Sequence, residues 1–185
     1  TKHLFVFDMF AGSGMDTKGV PGSPLILLEE AKGAQCEHCK TLKSSSNVKQ
    51  VFFLFNEFSK PKYEALTNNV YCFQNKCMES HGCSECPIKK GIYTRNEDFQ
   101  NLFEDEKIDK IFKNKEYGKF VLLDQYGIKQ VTEEVFSKLV SSPKTDFIFF
   151  ISSSTTLRYL IATCNWIPGS LCPFYLCGSH SVLIL

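Results

Sequence analysis

Short runs of consecutive apolar residues, each ending on a polar residue, punctuate the chain: Leu4–Phe7 before Asp8, Val51–Phe55 before Asn56-Glu57, Phe120–Leu123 before Asp124, and Phe147–Ile151 before Ser152. A strand buried on both faces reads as such an unbroken run, because neither side-chain direction meets water. Val70–Phe73 carries the same signature and predicts a third strand in the interval before Phe120. Helical segments fall between the runs. Ser23-Pro24 supplies an N-cap and a proline at the first helical position, Leu25–Glu30 follows, and Gly33 stands where a short helix would stop. Lys60–Asn69 has polar helical character, and Phe99–Phe112 has apolar residues at 99, 102, 103, 108, 111 and 112, which predicts one or two amphipathic helices. Thr132–Leu139 predicts a helix capped by its threonine. Cys77–Gly91 reads as an irregular cysteine-rich insertion, and Cys164–Leu185, which has no charged side chain, as a hairpin or edge strands. Strands alternating with helices predict an α/β fold with a mostly parallel sheet and helices on both faces.

A chain of 185 residues is one domain, 1–185, with cysteine-bearing insertions near 34–47 and 75–92. Twenty-one Lys plus Arg against 20 Asp plus Glu give a formal charge of +1, so no global field draws it to nucleic acid or membrane. No apolar run reaches the roughly 18 to 20 residues that span a bilayer. No basic stretch followed by an apolar stretch and a cleavage site opens the sequence, so a cytoplasmic protein without a membrane partner is expected. The start on a strand and the apolar end suggest that segments of the native chain lie beyond the sequence given. Nine cysteines are many for such a protein, but the count is odd and the pattern is α/β, which favours reduced thiols, some of them on a metal, over a disulfide scaffold.

In an open parallel sheet, ligands bind at the carboxyl ends of the strands, where the strand order reverses. The residues there are Asp8, then Met9, Phe10, Ala11, Gly12, Ser13 and Gly14; Glu57; and Asp124-Gln125-Tyr126-Gly127. Position 17 is Thr, so the third glycine of a dinucleotide fingerprint is missing, and no Gly-Lys-Ser/Thr follows. Pyrophosphate ligands are disfavoured. Three strand-end carboxylates, costly unless solvated or paired, point instead to a nucleoside-type ligand whose ribose hydroxyls one of them accepts.

Phe5–Gly14, then Pro21–Leu25 and the helix to Glu30, resembles the opening of the three-Cys-motif partner proteins, a branch of the Rossmann-like class I S-adenosylmethionine-dependent methyltransferase fold. Phe53–Glu57 is similar to their second strand, Phe120–Ile128 to their fourth-strand motif, and Pro143–Phe150 and Gly178–His180 to later segments. The resemblance implies a seven-stranded sheet that binds S-adenosylmethionine. Asp8, Phe10, Ala11, Gly12, Ser13 and Gly14 would lie along its methionine and ribose, Glu57 would accept the ribose hydroxyls, and Phe58 would pack on adenine. Asp124-Gln125-Tyr126-Gly127 stands where amino-methylating enzymes carry Asp-Pro-Pro-Tyr, which implies catalytic roles for Asp124, accepting a hydrogen bond from the target amine, and Tyr126, stacking on a base of a nucleic-acid substrate. The resemblance also implies a partner, a separate cysteine-motif protein.

Cys36-Glu-His-Cys39 and Cys83-Ser-Glu-Cys86 have the spacing at which two thiolates grip one tetrahedral ion. Cys36, Cys39, Cys83 and Cys86 together would make a closed four-cysteine zinc site, structural because it leaves no position for water. Unliganded reduced thiols are the alternative. Two functional readings stay open: a methyltransferase acting on an amino group, for which the Asp8–Gly14 loop speaks, and a non-catalytic interaction protein of the same fold, for which Gln125 and the neutral charge speak.

Overall fold

The computed structural model describes residues 3–35, 48, 50–81, 89–124 and 131–150. Five strands, β1 (His3–Asp8), β2 (Gln50–Asn56), β3 (Ile92–Arg95), β4 (Tyr117–Leu123) and β5 (Thr145–Phe149), form one sheet in the order β3-β2-β1-β4-β5. Every pairing is parallel, and Asp8 stands level with Phe55 of β2 and Leu122 of β4. This is the order of a doubly wound sheet, with its reversal at β1. Helices α1 (Ser23–Gln35) and α2 (Lys60–His81) connect the strands on one side of the reversal; α3 (Phe99–Glu104), α4 (Glu106–Lys113) and α5 (Glu133–Ser141) serve the other.

Two cores result, one on each face. Val6, Val51, Phe53 and Phe55 of the sheet pack with Leu25 and Leu28 of α1 and with Leu66, Val70 and Cys77 of α2. On the opposite face Phe7, Val121, Leu123 and Phe147 pack with Phe99, Leu102 and Phe103 of α3, Ile108 and Phe112 of α4, and Val135 and Leu139 of α5. Alternate residues of one strand therefore enter different cores, which is why the strands read as unbroken apolar runs.

The structure corrects two assignments made from pattern alone. Val70–Phe73 is not a strand; it lies inside α2, which runs 22 residues from Lys60 to His81 and absorbs the first part of the expected irregular insertion. Leu66, Val70 and Cys77 are buried at spacings of four and seven residues while Tyr71 and Cys72 are exposed, so the segment buries a helical stripe whatever its β-propensity. The third strand is Ile92–Arg95, outermost on the β2 side of the described sheet. The first helix likewise passes Gly33 and ends at Gln35. The amphipathic region splits at Asp105, whose backbone N–H donates to Leu102 O and closes α3 while its carboxylate accepts from the amides of Lys107 and Ile108 and opens α4. The expected strands within 164–185 lie outside the described residues.

One close backbone approach fixes the entry to β3. A Cβ at Gly91 would stand 2.7 Å from the carbonyl oxygen of Val51 and 3.6 Å from Phe52 Cα. Neither partner is the end of a flexible side chain. Gly91→Ala is therefore expected to cost about 1 to 3 kcal/mol of stability, read as a lower urea midpoint with an unchanged slope; a wild-type midpoint would show that β2 and β3 can separate at no cost.

Candidate functional site at the strand-order reversal

After Asp8 the chain reaches to both neighbours in turn: Met9 N–H donates to Leu122 O of β4 at 3.1 Å, and Ala11 N–H donates to Asn56 O of β2 at 2.9 Å. The loop thus starts across the gap that opens where strands on either side of β1 send their chains to opposite faces. Gly12 and Gly14 have φ of 61° and 75°, the left-handed region that side chains resist. Gly14 is also packed: a Cβ there would meet Leu66 Cδ1 at 3.1 Å. Gly12 faces open space, with nothing within 4 Å of such an atom. The glycines divide the work, Gly14 seating the loop on α2 and Gly12 leaving the backbone accessible to a ligand.

The cleft beside Gly12 measures about 240 Å³ and is lined by Met9, Phe10, Asn56, Glu57, Phe58, Lys62, Phe99 and Asp124. That is small for a ligand site, nearer a nucleoside than a dinucleotide. Its floor is aromatic, the Phe10 ring resting 5.0 Å from that of Phe99. Its lip is held rigid. Glu57 Oε1 accepts from Ser59 N–H at 2.7 Å, Glu57 N–H donates to Arg95 O, and Asn96 Nδ2 donates to the carbonyls of Glu57 and Phe58 at 2.7 and 2.8 Å. Phe58 is consequently fixed in backbone but 68% exposed in side chain. An exposed ring on a fixed backbone at a cleft mouth is equipped to stack.

Of the residues expected at the site, Phe10, Gly12, Glu57, Phe58 and Asp124 line this cleft. Asp8 does not. It is fully buried beneath the loop, where Oδ2 accepts from Ser23 Oγ at 2.6 Å and Oδ1 from Phe10 N–H at 3.3 Å, so it ties the loop to the start of α1. Ala11 is buried in the core between the sheet and α1, and Ser13 turns its hydroxyl to Met15 O while Asn69 Nδ2 holds its carbonyl at 2.8 Å. Gly14 is buried under α2. Tyr126 and the four cysteines 36, 39, 83 and 86 lie outside the described residues. Among the described residues no group of three or more His, Cys, Asp or Glu side chains is gathered as a metal site.

Sequence reasoning missed Asn56, Lys62 and Phe99 as cleft residues. Asn56 is 1% exposed, and its signal was present: a polar residue closing an apolar strand one position before the candidate acid. A larger hollow, about 710 Å³, lies between α1 and α2. Leu25, Ile26 and Phe73 give it apolar walls, Glu29, Glu30 and Lys76 stand at its rim, and no strand end reaches it. The smaller cleft is the one at the strand ends, with Asn56, Glu57, Lys62 and Asp124 among its lining residues. No helix among the described residues is long and apolar enough to cross a membrane. Compared with protein-family models, with curated proteins and with solved structures, the chain has no match.

Burial raises the Asp8 carboxyl from 3.8 to about 6, with the charges of Asp124 and Glu57 pushing the same way and the bonds from Ser23 and Phe10 opposing. The folded protein therefore holds this proton more tightly than the unfolded chain does, so the associated stability is present in acid and lost as pH rises through about 6. Asp8→Asn keeps the shape and removes the titration. Its stability relative to wild type should rise by about 2 to 3 kcal/mol from pH 4 to pH 7, measured by urea unfolding of both proteins. A difference that stays constant over that range would show that Asp8 is not the buried acid.

Proposed function

We propose that the cleft binds S-adenosylmethionine and that the protein is a methyltransferase acting on an amino group, with a base of nucleic acid as the substrate class. The observation that carries this reading is the convergence of Gly12, Glu57, Phe58 and Asp124 on one small cleft at the reversal of strand order. Each supplies a function that a nucleoside sulfonium needs. Gly12 leaves backbone uncovered, Glu57 offers a charged acceptor to a ribose diol, and Phe58 offers a face to adenine. Asp124, exposed at the end of β4, is the acceptor for the hydrogen of an incoming amine.

When bound, the cofactor supplies an activated methyl group; the chain's own residues orient and exclude water. Because an in-line displacement depends mainly on alignment, one acceptor and a stacking platform can serve it. The aromatic floor of Phe10 and Phe99 is compatible with that demand. A partner protein of the cysteine-motif kind belongs to the same proposal.

Glu57→Ala should weaken S-adenosylmethionine binding by roughly 1.5 to 3 kcal/mol, about ten- to a hundredfold in Kd, because the diol loses a charged acceptor. Titration calorimetry on wild type and variant measures it. Absence of heat and of a thermal shift at millimolar ligand would remove the methyltransferase reading. Binding without transfer to any nucleic-acid or protein pool would favour the non-catalytic interaction protein.

A structural zinc ion shared by Cys36, Cys39, Cys83 and Cys86 is a separate part of the proposal. Its support is topological. Helices α1 and α2 lie on the same face, pack against each other, and both return against parallel strands, so Gln35 and His81 end at the same edge of the sheet, opposite the cleft. In sequence, one cysteine pair follows each of those helix ends. Elemental analysis of protein prepared without chelator should find about one zinc per chain. Cys36→Ser should abolish it and leave ligand affinity at the cleft within about twofold; metal-free protein with reactive thiols at all four positions would sink the assignment.

A further inference from the structure

Asn56 is the last residue of β2, and its side chain is buried between two loops that are remote in sequence. Nδ2 donates to Met9 O at 3.4 Å, in the loop after β1, and to Glu97 O at 3.0 Å, in the connection after β3. Oδ1 accepts from Glu97 N–H at 3.2 Å. The backbone carbonyl of the same residue holds Ala11 N–H. Met9 and Asn56 line the cleft, and Phe99, two residues beyond Glu97, forms its floor.

The amide has only one orientation here. Turned over, it would set an NH₂ against the Glu97 N–H and an oxygen against two carbonyls, so its neighbours fix the assignment. Aspartate, the nearest isostere, meets the same conflict when ionised: it can accept from Glu97 N–H, but its second oxygen faces Met9 O and Glu97 O with no hydrogen between. Protonated, it becomes a donor again.

From this geometry we infer that Asn56 is a positioning residue, which sets the shape of the nucleoside cleft by holding the loop after β1 against the connection after β3. The inference rests on the cleft being the S-adenosylmethionine site proposed above. Asn56 need not touch the ligand; it acts through Met9, Ala11 and the Glu97–Phe99 segment.

The test compares Asn56→Asp with wild type by S-adenosylmethionine titration at about pH 7.5 and about pH 5.5. Burial and the surrounding carboxylates favour the protonated acid at position 56, so its donor returns within reach of mild acid. The groups around it are Asp8 on β1, Glu57 just after β2, Glu97 and Asp98 before α3, and Asp124 after β4, with Lys62 of α2 and Arg95 of β3 as the cations. All of these are present in wild type as well, so the ratio of the two dissociation constants isolates position 56. That ratio should be about tenfold or more at the higher pH and fall to about threefold or less at the lower. Lys138→Met, which removes the Lys138 Nζ bond to Phe103 O and its ion pair with Asp109, serves as a control destabilised away from the cleft and should keep wild-type affinity at both pH values. Wild-type affinity of Asn56→Asp at the higher pH would overturn the inference, and so would a weakened affinity whose ratio does not change with pH, the mark of a merely structural residue. If Asn56→Asp fails to fold near neutrality, Asn56→Ser decides: its single, shorter hydroxyl has one donor in place of two and cannot hold Met9 O and both Glu97 groups together, so binding about tenfold weaker by folded protein supports the inference and wild-type binding overturns it. Absence of ligand binding by wild type at either pH removes the methyltransferase reading, and this inference with it.

Discussion

Strand β1 is hydrogen-bonded along both edges, to β2 and to β4, and the chain leaves it for one face of the sheet while it leaves β4 for the other. Two loops that depart in opposite directions cannot pack on each other, so a gap at the carboxyl end of β1 is imposed by connectivity before any side chain is chosen. Everything at that edge answers the gap. The loop after β1 crosses it with one amide to each neighbour, the glycines let the backbone turn within it, and the acids stand on its banks.

Polar groups at such an edge are expensive, and the two most deeply buried ones are handled differently. Asn56 has a neutral side chain with matched partners on both its donor and acceptor sides, so burial costs it little. Asp8 keeps two donors but sits among other carboxylates and away from water, and its raised proton affinity is the thermodynamic trace of that conflict. A protein that retains an acid in such a place trades some stability at neutral pH for a tether between the loop and the first turn of α1. At the opposite end of β4, Lys119 solves the same problem for a cation: Nζ donates to the carbonyls of Phe112 and Asn114 at the end of α4, although burial pushes its pKa down.

How much of this the sequence discloses follows from what each residue meets. Strands buried on both faces are legible as continuous apolar runs, and β1, β2, β4 and β5 were found that way. The third strand was not, because Ile92–Arg95 has four residues, alternates between half-buried and exposed, and offers no run at all. Val70–Phe73 carries the strand signature instead, because a β-branched and two aromatic residues happen to fall within about one turn of a long helix. At the site, acids that follow strands were legible by position: Glu57 and Asp124 reach the cleft, whereas Asp8, next to the same loop, turns under it. Orientation of that kind is decided by Ser23, fifteen residues away, and the role of Asn56 by partners 41 and 47 residues away, distances over which local pattern carries no information.

The doubled cap at Asp105 has a consequence for how this molecule can change over generations. One residue ends α3 and begins α4 with no linker between, so an insertion or deletion there would rotate the Ile108 and Phe112 face by about 100° relative to Phe99, Leu102 and Phe103. That wall of the crevice can diverge by substitution but hardly by length. The turn at Asp16–Val20 is built differently: it is exposed along its whole span and closed by its own bonds, with Asp16 Oδ1 accepting from the amides of Lys18 and Val20. Lengthening it disturbs no packed neighbour. Descendants of this chain can therefore acquire new contacts beside the hollow between α1 and α2, which Met15 and Pro21 line, by growing one turn, while the aromatic floor of the crevice keeps its dimensions.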